Sequence, residues 1–192
     1  MNGLRNLAVI ASLGGLLGLA SPTADATTFR KMTQQERIDA AELIVRGTIT
    51  EVWTERDDRG RIWTRAQVEV SEELKGSAPS VLVIDQLGGR YAGLRAEISG
   101  AARFSPGEDT VMFLATIKKG TRYTLQSMGL GKYTVRIDPH TGREVVQQFF
   151  PSLDDDYDHR FIPAPRDGQQ VFLSDFETTI LDRVEIAPTE VK

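Results

Sequence analysis

The sequence predicts a mainly β fold: an antiparallel barrel or sandwich of about eight strands, with a short N-terminal helix and a C-terminal helix docked on it. Three observations carry this. Apolar and polar residues alternate over Arg61–Val70, the period of a strand with one buried face. Turn signals recur every 10 to 20 residues or so, the rhythm of small all-β domains. No helix-length apolar pattern separates the strand segments, which argues against a parallel βαβ sheet.

The elements follow in order. Thr33-Gln34-Gln35-Glu36 is a capping box that starts a short helix, with Ile38 and Ala41 on one face. Leu43–Thr54, rich in Ile, Val, Thr and Trp, is a strand, and Asp57-Asp58-Arg59-Gly60 turns it. The returning segment buries Ile62, Thr64, Ala66, Val68 and Val70 and leaves Arg61, Trp63, Arg65, Gln67 and Glu69 wet. Together they predict a long antiparallel hairpin.

After the loop Lys75–Pro79, the continuous apolar run Val81–Ile84 suits a central strand, and Gly88-Gly89 breaks it. Leu94, Ala96 and Ile98 alternate with polar residues, which predicts a further strand. Phe104–Asp109 is a turn, and Val111–Ile117 is the next strand, followed by Arg122–Gln126. In Gly131–Ile137 the pattern sends Tyr133, Val135 and Ile137 inward and Lys132, Thr134 and Arg136 outward. Asp138–Gly142 turns the chain into a last strand, Arg143–Phe150. Beyond it Pro151–Gln170 is an irregular, acidic arm. Ser174-Asp175-Phe176-Glu177 is a second capping box, and Phe172, Phe176, Ile180 and Val184 form one apolar stripe for docking.

Composition bounds the function classes. The chain has 192 residues, formal net charge −4 and no cysteine. One domain fits that length. The missing cysteines exclude a disulfide scaffold, a Cys-ligated zinc site and a thiol nucleophile, and the acidic balance argues against broad nucleic-acid binding. At the front, Arg5 precedes the apolar run Leu7–Ala20, and Ala24-Asp25-Ala26 has the small-x-small pattern of a signal-peptidase site. The run is short of the 20 or so residues a membrane-spanning helix needs. The expected organisation is therefore a cleaved leader over 1–26, a β domain over 27–150, and an arm with a packed helix over 151–192. This makes the chain periplasmic or secreted, with no stable membrane insertion after cleavage.

Certain segments carry a resemblance. Ala41–Ile49, then Val68-Glu69-Val70-Ser71-Glu72-Glu73-Leu74-Lys75-Gly76, Gln86–Gly89, Phe104–Glu108 and Gly129–Tyr133 resemble a group of uncharacterised exported bacterial proteins. Their pattern is a short helix, a strand ending in Gly, a hairpin, and a strand closing in Leu-Lys-Gly. The resemblance implies a partly open, OB-like barrel, and some of those proteins accompany matrixin-type metalloproteases. More distantly the order is similar to the OB-fold domain of tissue inhibitors of metalloproteinases and netrin modules. Those inhibitors chelate the protease zinc through an N-terminal Cys, whereas this chain would begin Thr27-Thr28. The expected role is a non-enzymatic binding or accessory module acting on another exported protein. The alternatives are a metalloprotease inhibitor and a hydrolase with an unidentified carboxylate pair.

Few residues point to chemistry. The two histidines, His140 and His159, fall in predicted loops, and no Gly-x-Ser-x-Gly elbow or His-Glu-x-x-His helix is present. Gly129-Leu130-Gly131-Lys132 lacks the upstream Gly of a phosphate loop and leads into a strand. Asp154, Asp156 and Asp158 have the spacing of a calcium loop's first ligands, but His159 stands where Gly is required and Pro165 where Glu belongs. A solvated acidic arm and one ordered by calcium both remain open. Trp53 and Trp63 flank the Asp57–Gly60 turn nearly symmetrically, which predicts cross-strand neighbours. With Arg61 and Arg65 they form the candidate ligand or partner platform, unless the C-terminal helix or arm covers Trp63.

Overall fold

A computed structural model describes residues 32–117, 122–148 and 171–186. The leader, His159 and the acidic arm with Asp154, Asp156 and Asp158 lie outside the described residues.

The chain opens with helix α1 (Gln34–Ala40). Its capping box forms as the sequence requires: Glu36 N–H donates to Thr33 Oγ1, and Thr33 N–H donates to the Glu36 carboxylate. Seven residues are too few to hold a helix alone. Ile38 anchors it in the core, and Lys75 Nζ donates to the carbonyls of Ile38 (2.7 Å) and Asp39 (3.0 Å) at its C-terminal end.

Among the described residues ten strands follow: β1 (Leu43–Arg56), β2 (Ile62–Lys75), β3 (Val81–Leu87), β4 (Gly89–Tyr91), β5 (Leu94–Ala96), β6 (Asp109–Ile117), β7 (Arg122–Leu125), β8 (Lys132–Ile137), β9 (Glu144–Gln148) and β10 (Val171–Phe172). Helix α2 (Leu173–Ile186) ends the described chain. Eight strands form one sheet in the order β1-β2-β3-β7-β6-β8-β9-β10, and β6 also pairs with β1. Following neighbours from β1 through β2, β3, β7 and β6 therefore leads back to β1.

The sheet is antiparallel, as expected of a mainly antiparallel domain, at every pairing but one. β3 and β7 run parallel, meeting at Ile84 and Tyr123. The connection from β3 crosses over to β6 before β7 returns beside it, so the two strands point the same way. The strand expected over Leu94–Ile98 is also reduced. β4 and β5 make a separate two-stranded flap, and Leu94 on it is exposed.

β1 and β6 contribute alternate side chains to two hydrophobic clusters, so both of their faces are core. Leu43, Val45, Met112 and Leu114 point to one side and meet Ala66, Val68, Leu82, Ile84, Tyr123 and Leu125 within the five-strand circuit. Ile44, Val111 and Phe113 point to the other and meet Tyr133, Val135, Val146, α1 and α2. Phe176 and Ile180 of the predicted stripe are buried there, with Val184 packed against them. Helix α2 thus docks on this chain's own sheet. It begins at Leu173, directly after β10, so Ser174 lies inside the first turn rather than before it, and its hydroxyl donates to Asp175 Oδ1.

In β8 the expected pattern fails at both ends. Ile137, the last residue of the strand, is 61% exposed, while Lys132 is only 6% exposed. Lys132 is drawn in by Glu108, whose carboxylate also accepts from Thr134 Oγ1.

Candidate functional site

The β1–β2 hairpin positions the predicted platform. Residues 58–60 form a three-residue loop in which Gly60 takes φ +78°, Gly60 N–H donates to Asp57 O and Asp57 N–H to Arg61 O. This loop centres the ladder on Arg59, one residue later than the symmetric reading of the two tryptophans. Trp53 consequently faces Arg65, and Trp63 faces Glu55. The tryptophans are diagonal neighbours on one face and not a directly opposed pair. That face is the one turned away from Ala66 and Val68, as the alternation requires.

Register extends the platform across β3. Trp63 lies opposite Leu87, and Arg65 opposite Asp85. Row by row, the face reads Glu55–Trp63–Leu87 and Trp53–Arg65–Asp85. Arg65 Nη1 donates to Glu55 at 2.6 Å, its Nε lies 3.3 Å from Asp85, and Arg122 of β7 pairs with the same Asp85. Four charged side chains from β1, β2, β3 and β7 therefore form a ladder that fixes the face. Asp85, 5% exposed and flanked by two guanidiniums, is its centre. Sequence reasoning found Arg65 but missed Asp85 and Arg122, because their partners are brought together only by the crossover.

Trp63 itself is half-buried and belongs to neither hydrophobic cluster. Its indole Nε1–H donates to Asp57 Oδ2 at 3.1 Å, and the Arg61 guanidinium stacks 5.2 Å from its ring centroid. Asp57 also accepts from Arg61 Nε at 2.8 Å. Partial burial works to raise the Asp57 carboxyl, but the bonds from Trp63 and Arg61 outweigh it and hold it down to about 2. The ring is thus fixed by a charged clamp, with Leu87 exposed beside it. Helix α2 packs instead against Leu74, near the other end of β2.

A second charged cluster lies under α2. Arg46 donates from Nε (3.2 Å) and Nη2 (2.7 Å) to Asp109, and from Nη2 to Glu144 at 2.8 Å. The bond to Asp109 raises Arg46 further above its ordinary range, against the cost of burial. Glu177 of α2 stands 3.8 Å from Arg46 Nη1. Asp109 and Glu144 both accept hydrogen bonds from the one Arg46 guanidinium, which ties these carboxylates into an ion-paired cluster of net negative charge.

The remaining candidates resolve structurally. The Gly129–Lys132 segment passes from a 3-10 turn into β8, and Lys132 points into its pair with Glu108. His140 sits in a turn built on Asp138, which accepts from His140 N–H and Thr141 Oγ1. Among the described residues no three His, Asp or Glu side chains are arranged to hold a metal ion, and no helix is long and apolar enough to cross a membrane. Comparison with protein-family models and with curated proteins gives no match to this chain.

Proposed function

We propose that this chain is an exported, non-enzymatic binding module that docks another protein on the outer face of β1, β2, β3 and β7. The observation that carries the reading is Trp63: a large ring held rigid by Asp57 and Arg61, outside both cores and beside exposed Leu87. Rigid aromatics next to aliphatic surface and a guanidinium are the anchors that dominate protein interfaces. The ladder Glu55–Arg65–Asp85–Arg122 supports it by fixing the surrounding surface without exposing a net charge.

The strand circuit supports an OB-like barrel. Its order β1-β2-β3-β7-β6-β1, with the single parallel pair β3–β7, is the order such a barrel needs. Barrels of that kind take their ligands on the face of the second and third strands and the adjoining loops, which is where Trp63 and Leu87 lie. Export rests on Arg5, the apolar run Leu7–Ala20 and Ala24-Asp25-Ala26. The same OB-like order favours a narrower second reading, a partner or inhibitor of an exported metalloprotease.

The experiment is chemical crosslinking of the exported protein in its own envelope or culture fluid, with wild type and Trp63→Ala compared. A partner captured by the wild type and lost from the variant supports the module. If the captured partner is a metalloprotease, its turnover of a peptide substrate with and without the module decides the narrower role.

A further inference from the structure

Helix α2 brings one charged side chain into its seat. Glu177 follows Phe176 on the buried stripe, and only 18% of its side chain is exposed. Its Oε1 is buried and accepts no hydrogen bond. The helix offers it no cation one turn away: Leu173 and Leu181 stand four residues before and after it. The cation facing it, Arg46, spends its short hydrogen bonds on Asp109 and Glu144. Glu72 lies directly opposite Arg46 in the β1–β2 register and adds to the negative field.

Three carboxylates, from β6, β9 and α2, thus share one guanidinium from β1, and Glu72 of β2 adds a fourth negative charge near Glu177. Four other cations near the helix, among the described residues, are engaged elsewhere, and the helix's own Asp175, Asp182 and Glu185 add only negative charge. Arg183 binds Asp39 of α1 at 2.6 and 2.8 Å, Lys75 binds the carbonyls ending α1, Arg37 lies over the Tyr133 ring, and Arg143 stacks on Phe172.

We propose that this cluster makes α2 an acid-tightened clasp: a proton on Glu177 seats the helix, and its loss loosens the helix from the sheet. The protonated carboxyl removes one charge from the surplus and gains an O–H to donate to a neighbouring carboxylate. Burial, and then the charge of Glu72, push the Glu177 carboxyl above its ordinary value of 4.5, with Arg46 opposing. The seated helix holds this proton more tightly than the released one. The added stability is therefore complete below that ordinary value and is lost as pH rises through the seated value. Asp39 responds in the opposite sense. Its bond to Arg183 holds it below 3.8, so that link fails only in stronger acid and leaves the window of Glu177 undisturbed.

Amide hydrogen exchange of Ile180–Val184, expressed as protection factors from about pH 7.5 down to about pH 4, reads the clasp directly. Wild-type protection should rise severalfold on acidification. Glu177→Gln should start at the higher level and stay flat. Glu144→Gln, which leaves the helix untouched, should raise protection at neutral pH. Flat or falling wild-type protection would overturn the proposal, as would the wild-type rise persisting in Glu177→Gln or no change at neutral pH in Glu144→Gln.

Discussion

Replacing Phe176 by Ala separates a helix that belongs to this fold from one kept for a partner. Phe176 is 3% exposed, and its ring centroid lies 4.7 Å from that of Tyr133 and 6.3 Å from that of Phe113. Burial of the side chain is worth about 1.5–3 kcal/mol, and each aromatic pair adds about 0.5–1.5 kcal/mol. The vacated space cannot close easily, because Phe113 stands on β6 between two bonded neighbours and Tyr133 on β8 between two more. The expected loss is about 3–5 kcal/mol. For a chain of this size that lowers the melting temperature by about 6–20 °C. Urea unfolding followed by circular dichroism measures it, and the denaturant slope reports whether α2 leaves with the whole domain or earlier. A helix that peels off first shows as helical signal lost ahead of the main transition. A loss below about 1 kcal/mol with an unchanged slope and no early transition would refute the packing argument.

Three further outcomes follow from the described contacts. In Gly47→Ala the new Cβ would lie 2.5 Å from the Glu69 carbonyl oxygen and 2.8 Å from Val68 Cγ1; the ladder holds that carbonyl, so urea unfolding should show a loss of about 1–3 kcal/mol. Lys132→Met leaves the Glu108 carboxylate buried without its cation and should cost about 3–5 kcal/mol. The double variant with Glu108→Gln should recover most of that in a double-mutant cycle. Trp63 fluorescence, read in a Trp53→Phe background, should be constant at neutral pH. It should change as pH falls through about 2, where the folded protein's Asp57 takes up its proton, because a depressed carboxyl stays ionised below the ordinary 3.8 and loses its interaction only at its own lowered value. Asp57→Asn should abolish that titration.

Local pattern made much of this fold legible. The Thr33–Glu36 box, the alternation through Val68 and the stripe Phe176–Ile180 each need only neighbouring residues to be read, and each forms as read. What escaped depends on residues far apart in the chain. Lys132 looks like a wet-face residue until the turn ending at Glu108, folded beneath it, supplies a carboxylate. Asp85 and Arg122 are unremarkable in sequence because only the parallel passage of β7 beside β3 joins them. The alternation around Leu94 is real, yet it has no strand of the main sheet to pair with and ends in an exposed flap. Trp53 and Trp63 were near enough in sequence to find each other, but a three-residue loop in place of a symmetric one moved them to diagonal positions.

The central claim, that the face around Trp63 is a docking surface and not part of the core, is tested most directly by one paired measurement on Trp63→Ala. Capture of the crosslinked partner and the melting temperature are recorded on the same preparation. The account predicts loss of the partner with a melting temperature lowered by no more than about 4 °C. Undiminished capture, or a fall in melting temperature as large as that of Phe176→Ala, would contradict it.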